Sequence, residues 1–352
     1  MLYKKYFSSN FVNQEIFNKK VNWFFDIKSI LYQKRNNYKQ ETIKYSKIIV
    51  NNFLKTKLYK KNKIKIQKII VKHINKSAFL KRDKVYKMKI LKCFNYLKKN
   101  KIDDYIKIFC VHGSIASDDY IKNWSDLDTF VVIKNETLKN EIKLRKLRNI
   151  LRNFFIKLTK VSPYQHHGLI MYTENDLNHY LKGYLPMQAL EKSFSVFGKV
   201  IFEIKEKKNK SNLSLKSLEE RKKYLKESIL KGKYNHHAFK GRKLNVPLKE
   251  NSNQMYQLFC HIGYILNIPI LYLDATNRSI HKKKSFNKFY KEIKDNNIKK
   301  FIKKTEAVRT NWNEHKFQGN KIPLWIIKIL GNDYMEESYK IISKIIKIIR
   351  SH

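Results

Sequence analysis

The amino-acid sequence predicts an α+β fold, in which a small mixed sheet with flanking helices follows amino-terminal helices and precedes a carboxy-terminal helical bundle. Two short runs, residues 107–111 (KIFCV) and 129–133 (TFVVI), have the length and apolar character of buried strands. Elsewhere apolar residues recur at helical spacing, both in the first 100 residues and beyond residue 214. Strands in the middle of the chain and helices at both ends define this fold class.

Residues 1–83 are predicted to form a helical region, which is rich in Lys, Asn and Tyr. The next helix, at about Lys84 to Lys99, should pack directly against the sheet. The apolar residues assigned to its buried side are Val85, Met88, Leu91, Phe94 and Leu97. The pattern leaves open whether the first 80 residues form a separate domain or a layer of helices on the sheet. A basic arm that contacts an acidic partner is a further alternative, although solvated helix faces also explain the lysines.

The predicted domain at residues 84–204 contains the most informative segment of the chain, His112 to Ile133. Gly113 and Ser114 follow the strand at 107–111 and lead into a predicted helix at about residues 115–122. At such a turn glycine permits close backbone approach, and the next amides and the serine hydroxyl can face an anion. The turn is therefore a candidate seat for nucleotide phosphates.

Asp126 and Asp128 stand immediately before the apolar run at 129–133. In a strand, alternate side chains share a face, so both carboxylates would point the same way while Leu127 points into the core. Asp is depleted in strands, so two at alternate positions need a reason. Proteins usually hold Mg²⁺ with one or two carboxylates completed by water and phosphate, and the pair is therefore a candidate magnesium site.

An apolar strand, Gly-Ser, eleven residues and then Asp-Leu-Asp resemble the signature of the DNA polymerase β-type nucleotidyltransferase superfamily. The resemblance covers His112 to Ile133. It implies that Gly113 and Ser114 seat the β- and γ-phosphates of an NTP and that Asp126 and Asp128 bind Mg²⁺. It also implies an activity: transfer of a nucleoside monophosphate, AMP by default, to a hydroxyl acceptor with release of pyrophosphate.

Active members of that superfamily commonly carry a third acid on a later strand, and this sequence departs from the pattern. The next predicted strand, residues 167–172 (HGLIMY), contains no acid and follows Gln165 and His166. Of the two histidines, His167 is the better candidate for a general base or metal ligand, because it lies further into the apolar run. The alternative, that it packs or hydrogen-bonds at a strand end, stays open.

Shorter patterns predict the other elements of this domain. A helix is expected at about residues 136–160, and Thr173 is expected to cap a helix in which Asp176 is the third residue. A short apolar run near residues 200–202 is a further strand candidate. Residues 205–213 (KEKKNKSNL) are polar until the last one and form the best candidate linker.

Residues 214–352 are predicted to form a helical domain, in which Ser217 begins a capping-box sequence and Gly232 ends the helix. Further helices are expected at 252–266, 284–308 and 334–350. Aminoglycoside-type nucleotidyltransferases, which this chain resembles, often carry such a bundle beside the sheet. The resemblance therefore implies that the acceptor binds in the cleft between them. A small sugar, a protein side chain or an RNA end would each fit as acceptor.

Two other functions compete with the transferase. Without a third acid, the chain could be a nucleotide-binding or antitoxin-like module that keeps both aspartates but lacks catalysis. Arg309 and His315 have five residues between them, a spacing that resembles the Arg-to-His motif of helical HEPN-type ribonucleases. Such a short motif often matches by chance. The alternative is a helix end in which Arg309 and Trp312 pack at a domain interface.

The formal net charge of +47 suggests a protein that binds nucleic acid, but the residues that produce this charge weaken that interpretation. Nearly all basic residues are Lys, and they accompany abundant Ile, Asn, Tyr and Phe, a combination that A/T-rich codons would produce. Arg, the residue suited to bidentate phosphate contacts, is scarce. We expect non-specific binding of nucleic acid at low salt rather than a nucleic-acid function.

The three cysteines, Cys93, Cys110 and Cys260, are scattered in apolar surroundings and predict reduced core residues. The amino terminus lacks the uninterrupted apolar segment of a signal peptide. The longest apolar stretch, residues 262–273, is interrupted by Asn267 and Pro269 and is too short to span a bilayer. These patterns predict a cytoplasmic protein without membrane contact.

Overall fold

A six-stranded mixed sheet lies at the centre of one part of the computed structural model. The structure describes residues 13–25, 35–57, 64–81, 83–117, 119–121, 124–161, 169–180, 184–185, 187–190, 192–207, 212–231, 233–234, 246–247, 254–278, 280, 282–312 and 322–351. The chain forms two units, Met1–Tyr120 with Ser125–Asn209, and Ile121–Trp124 with Lys210–His352. We call them the sheet unit and the helical unit. The predicted α+β class is confirmed.

The strands of the sheet are β1 (Ile64–His73), β2 (Ile106–His112), β3 (Asp128–Ile133), β4 (Ile170–Thr173), β5 (Phe194–Ser195) and β6 (Val200–Lys207). Their spatial order is β4-β3-β2-β5-β1-β6. β2 is antiparallel to both of its neighbours, β3 and β5, whereas β4 runs parallel to β3. β1 runs parallel to β5 and pairs along most of its length with β6.

Strand β1 contradicts the prediction that residues 1–83 are helical throughout. Its β-branched residues stand among lysines (IKIQKIIVKH), and Val71 is buried while Ile66 and Ile70 are exposed. A strand is stabilised by its cross-strand pairs. The partner of β1 is β6, with Ile70 opposite Ile201, so the evidence for this strand lies in a distant part of the chain.

The helices of the sheet unit are α1 (Gln14–Phe24), α2 (Arg35–Lys55), α3 (Lys76–Leu80), α4 (Lys84–Lys99), α5 (Gly113–Ala116), α6 (Asn135–Leu138), α7 (Glu141–Val161) and α8 (Glu174–Asn178). Short 3₁₀ turns occur at Ile102–Asp104 and Met187–Leu190. Phe17 of α1 and Phe53 of α2 belong to the same core as Val131 of β3. The described amino-terminal helices are therefore a layer on the sheet, one of the two alternatives that the sequence left open.

Helix α4 has the predicted bounds, and its predicted buried face is confirmed at Phe94 and Leu97 but wrong at its amino-terminal end. Val85 and Met88 are 72% and 39% exposed, whereas Lys87 and Ile90 are buried beside Phe94. The predicted residues are spaced by three, and each such step falls about 60° short of a full helical turn. A stripe at that spacing drifts around the helix, so it cannot stay on one face.

The second face of the sheet has a core of its own. Phe130 of β3 stacks on Phe202 of β6, with ring centroids 5.8 Å apart, although three strands separate them in the sheet order. The sheet therefore curls until β6 faces β3. Because β6 extends to Lys207, the first part of the predicted linker at 205–213 is strand.

The helical unit contains α9 (Leu213–Lys231), α10 (Gln254–Ile265), α11 (Ile268–Ala275), α12 (Lys282–Glu292), α13 (Asn296–Asn311), α14 (Leu324–Leu330) and α15 (Tyr334–Arg350), with a short pair of strands, β7 (Lys233–Tyr234) and β8 (Val246–Pro247). The helices predicted at 252–266 and 334–350 are confirmed. The single helix predicted at 284–308 is divided into α12 and α13, because Asp295 caps a new helix through the amides of Asn297 and Ile298. Ser217 lies inside α9 and caps nothing, and Gly232 lies outside the described residues.

By length and composition, one stretch of the described residues, Leu258–Ala275, is apolar enough to cross a membrane. It comprises parts of α10 and α11, and 61% of it is buried within the structure. Core helices of soluble proteins pass the same test, so the signal is weak.

Candidate nucleotide and metal site

The pairing of β2 with β3 brings Gly113 against Asp128. The register sets His112 opposite Asp128, so the next residue of β2 starts the turn beside that carboxylate. Gly113 has φ +73°, and a Cβ atom added to it would lie 2.2 Å from the Asp128 Oδ2 atom. Only glycine combines this backbone conformation with so close an approach. The neighbour that requires glycine at position 113 is thus one of the two candidate metal ligands, whereas the predicted approach of a phosphate to this turn stays a prediction.

Asp126 and Asp128 are placed differently from the prediction. Strand β3 begins at Asp128, so Asp126 precedes the strand instead of lying on it as predicted. Leu127 is 1% exposed and lies in the core, as predicted. Asp126 is also buried, at 8% exposure, while Asp128 is partly exposed. Two acidic side chains thus stand two residues apart where β3 begins, one fixed by the sheet and the other by the preceding connection.

The helix after the Gly-Ser turn is shorter than predicted. Instead of extending to about residue 122, α5 ends at Ala116. Ile115 is buried at 3% exposure, and Ser114 is partly buried beside it. The Ser117 amide donates to the Gly113 carbonyl over 3.2 Å and closes this single turn. Gly113 and Ser114 therefore stay together at the end of β2.

His167 lies outside the described residues, as do Gln165 and His166. Strand β4, however, runs parallel to β3, with Ile170 opposite Phe130. The amino ends of parallel neighbours lie at the same edge of a sheet, so β4 begins at the edge that carries Asp128. The role of His167 stays a prediction.

Glu174 and Asp176 lie at the opposite end of the sheet, because Thr173 pairs with Ile133 at the far end of β3. Glu174 accepts hydrogen bonds from Lys107 Nζ (2.9 Å) and the Asn135 amide (2.8 Å). Burial alone would raise the pKa of Glu174, but these bonds outweigh it and lower the pKa. Neither acid belongs to the candidate site.

Asp176 is fully buried and accepts hydrogen bonds from several side chains. Its donors include Gln14 Nε2 at 2.7 Å, Asn18 Nδ2 at 2.9 Å and the Tyr184 hydroxyl at 2.9 Å. Burial raises the pKa of Asp176, and the hydrogen bonds oppose that shift. With Thr173 it forms a capping box for α8, so the predicted cap is confirmed. This carboxylate is a structural group.

Strand β5 was not predicted, and it is the second neighbour of β2. Phe194 pairs with Val111 in an antiparallel register, so the amino end of β5 lies at the edge that carries Gly113 and Asp128. In the sequence Glu191 stands three residues before Phe194, and it lies outside the described residues. A two-residue strand is too short for any periodicity to reveal it.

Within the ranges that the structure describes, no group of three or more His, Cys, Asp or Glu residues could hold a metal ion. Two carboxylates nonetheless suit Mg²⁺, which keeps several water or phosphate ligands. At Gly113 the backbone itself, with no Cβ atom, lies against the Asp128 carboxylate. The residues present therefore fit a magnesium ion whose remaining ligands come from a nucleotide and water.

The other residues singled out in the sequence have different environments. Arg309 lies on α13, but His315 is outside the described residues, so the ribonuclease motif stays a prediction. Trp312 packs within the helical unit, with its ring 5.0 Å from Trp124 and 5.7 Å from Phe259. The three cysteines are buried thiols, and burial raises the pKa of Cys110 to about 12, which makes it an unreactive thiol.

Comparison with known proteins gave a match at the level of a domain family. Residues 87–225 match the family model of the nucleotidyltransferase domain, a segment that includes both the Gly-Ser turn and the two aspartates. No curated protein and no solved structure matched the chain. The match supports a transferase as the class of protein. More particularly, it supports the nucleotidyltransferase superfamily and nucleotidyl transfer as the general activity.

Proposed function

We propose that the protein is a Mg²⁺-dependent enzyme that moves a nucleoside monophosphate, AMP by default, from an NTP to a hydroxyl acceptor and releases pyrophosphate. The observation that carries the proposal is the approach of Gly113 to Asp128, where a Cβ atom would come within 2.2 Å of the carboxylate. A phosphate seat and an acidic metal ligand are adjacent there. The match of residues 87–225 to the nucleotidyltransferase domain supports the reaction class.

In this proposal the backbone amides after Gly113 and the Ser114 hydroxyl bind the β- and γ-phosphates. Asp126 and Asp128 would hold Mg²⁺, which when bound supplies positive charge that neutralises the leaving pyrophosphate. The acceptor oxygen forms a bond to the α-phosphorus, and the bond from that phosphorus to the β-phosphate oxygen breaks. Correct placement of the two reactants supplies most of the acceleration.

The proton of the acceptor hydroxyl needs a base, and two residues are candidates. His167 precedes β4 and Glu191 precedes β5, and both of those strands begin at the edge that carries Asp128. A neutral imidazole or a carboxylate can each accept the proton. Replacing His167 by Ala and Glu191 by Gln in separate variants, and comparing turnover, would assign the base.

The test of the proposal is incubation of the full chain with α-labelled NTPs and Mg²⁺. The acceptor panel should contain aminoglycoside-like sugars, proteins including the chain itself, and RNA ends. We expect pyrophosphate release and one labelled acceptor class. Asp126→Ala and Asp128→Ala should each reduce turnover by about a hundredfold or more, because they remove groups that act in the transition state.

Both variants should keep the fold, since neither residue is part of the apolar core. Asp104→Ala, which removes an exposed acid from the 3₁₀ turn of the same unit, is the matched control and should retain full turnover. Full activity of Asp126→Ala would contradict the proposed metal site. Activity in the wild type together with its loss in both aspartate variants would support it.

A nucleotide-binding module without catalysis is the second candidate. It is favoured by the environment of the two acids that follow β4, because Glu174 and Asp176 lie at the far end of the sheet in structural hydrogen bonds. Such a module would bind Mg²⁺ and NTP in equilibrium dialysis without releasing pyrophosphate in the presence of any acceptor. The same labelled-nucleotide experiment therefore separates the two functions.

A further inference from the structure

The connection between β2 and β3 carries half of the candidate site outside the paired strands, although Ile115 and Leu127 anchor its two ends in the core. Strand pairing fixes His112 and Asp128, but Ser114 and Asp126 lie in the connection between them. Among the described residues of this connection, the helical ones are those of α5, which is one turn long. Contacts other than strand pairing must therefore hold this connection if Ser114 and Asp126 are to act on one nucleotide.

Tyr120, in the middle of that connection, is held by the start of helix α4. Its hydroxyl donates a hydrogen bond of 2.8 Å to Asp83 Oδ2, and its ring stacks on Tyr86 with centroids 5.9 Å apart. The Nζ atom of Lys87, a buried lysine, lies 5.0 Å from the centre of the Tyr120 ring and 4.9 Å from that of Phe79. Burial and the bond to Asp83 raise the pKa of Tyr120, so the phenol keeps the proton that it donates.

Asp83 departs from two local preferences where it makes this contact. Asp is among the best residues for capping a helix through its side chain, and Asp83 stands at the N-cap of α4. Its side chain makes no capping hydrogen bond, and its backbone has φ +52°, a left-handed conformation that favours glycine, although Asp adopts it more readily than most residues do. Asp83 thus uses its carboxylate to bind Tyr120 instead of capping its own helix, and it does so in a backbone conformation that favours glycine. This combination indicates that the residue has a role other than stabilising α4.

We propose that Tyr120, held by Asp83, is a positioning residue that fixes the connection so that Ser114 and Asp126 meet the same nucleotide. The role rests on the function proposed above. Neither residue touches the nucleotide, and both act through the chain between Gly113 and Asp128. Loosening the contact should weaken metal and nucleotide binding and slow turnover, while α4 itself becomes no less stable.

Asp83→Gly is the decisive variant, because glycine accepts a positive φ without strain and removes the hydrogen-bond acceptor. We expect resistance to urea equal to or above that of the wild type, together with turnover about tenfold lower and a Mg²⁺ concentration for half-maximal activity raised by a similar factor. Tyr120→Phe, which removes the donor and keeps the ring, should change both parameters in the same direction. Asp83→Asn keeps an accepting oxygen and should restore turnover.

Lys101→Gly is the matched control. Lys101 also has a left-handed backbone, with φ +48°, and lies in the sheet unit after α4. It should gain stability like Asp83→Gly and keep normal turnover and Mg²⁺ dependence. If Asp83→Gly and Tyr120→Phe behave as this control does, the positioning role is wrong, even when Asp126→Ala confirms the transferase.

A second measurement keeps the two proposals distinguishable. Titration of the full chain with Mn²⁺ in the presence of ATP, followed by the electron paramagnetic resonance signal of free Mn²⁺, needs no acceptor and no turnover. A weaker affinity in Asp83→Gly than in wild type supports the positioning role even if no acceptor is ever labelled. Equal affinities overturn it, and a wild-type chain that binds neither metal nor nucleotide overturns both proposals.

Discussion

The structure requires glycine at position 113, both for its backbone conformation and for the space beside it. An alanine there would need φ +73° and would place its Cβ 2.2 Å from Asp128 Oδ2, so either the turn or the carboxylate must move. We expect Gly113→Ala to lower the free energy of unfolding by about 1–3 kcal/mol. Turnover should fall by about a hundredfold, because displaced groups no longer act together.

Gly198→Ala separates strain from function. Gly198 also has a positive φ, +105°, but an added Cβ would meet nothing within 4 Å. Its urea midpoint should therefore fall through backbone strain alone, while turnover measured on the folded protein is retained. Equal turnover losses in both variants would show that the Gly113 effect comes from general destabilisation rather than from the site.

His261 makes the stability of the helical unit depend on pH. It is 2% exposed, its Nε2 lies 3.0 Å from Ser338 Oγ, and burial lowers its pKa to about 3. The unfolded chain binds a proton near pH 6.5 and the folded chain does not, so stability is present above that pH and is lost as pH falls towards 3. Between about pH 7 and pH 5 this one residue should remove about 2 kcal/mol.

His261→Phe tests this sign, because phenylalanine fills a similar volume without titrating. Urea unfolding of the helical unit, followed by tryptophan fluorescence at both pH values, should show a smaller loss of stability on acidification in the variant. The other ten histidines contribute equally to both proteins and cancel in the comparison. An identical pH dependence in the two proteins would mean that His261 has the same pKa in the folded and the unfolded chain.

At the scale of elements, Asp176 ties the first described helix to the far edge of the sheet. Its carboxylate accepts hydrogen bonds from Gln14 and Asn18 of α1 and from Thr173 at the start of α8. Asp176→Ala leaves several buried donors without an acceptor, and it should destabilise the sheet unit by about 3 kcal/mol or more. Faster hydrogen exchange confined to α1, β4 and α8 would locate the effect.

Glu174→Ala is the control on the same helix. Its partner Lys107 is half exposed, and such pairs contribute about 1 kcal/mol or less. The variant should therefore lose far less stability than Asp176→Ala, with normal exchange in α1. A comparable loss from both variants would show that capping of α8, rather than attachment of α1, is what the acids provide.

Elements with local signals could be predicted from the sequence, and elements that depend on distant partners could not. Helix α15 is predicted by the spacing of its own apolar residues, and the Thr173 cap is predicted by the residues that follow it. β1 and β5 exist because β6 and β2 pair with them. The candidate site likewise combines a feature that a local motif predicts with a contact that depends on a distant strand. The motif predicted a glycine turn that seats an anion, but only the β2–β3 register shows that the Asp128 carboxylate packs against Gly113.

At the scale of the molecule, the two units are not consecutive in the sequence. The chain leaves the sheet unit at Ile121 and returns to it at Ser125, so four residues of the β2–β3 connection belong to the helical unit. Trp124 packs there on Phe259, with ring centroids 4.5 Å apart. The segment that precedes Asp126 thus depends on residues more than a hundred positions later, which no local motif can reveal.

The formal net charge of +47 predicts that the protein binds nucleic acid in a salt-sensitive way. Lysine-rich surfaces bind polyanions by releasing counterions, so affinity for a labelled RNA should fall by about a hundredfold or more between roughly 50 mM and 200 mM salt. Unrelated RNA and DNA oligonucleotides of equal length should behave alike in fluorescence anisotropy, because no base-specific contact is involved. Binding to one RNA that resists salt would contradict this. It would also move RNA ends to the front of the acceptor panel, since a transferase that selects its RNA needs contacts other than charge.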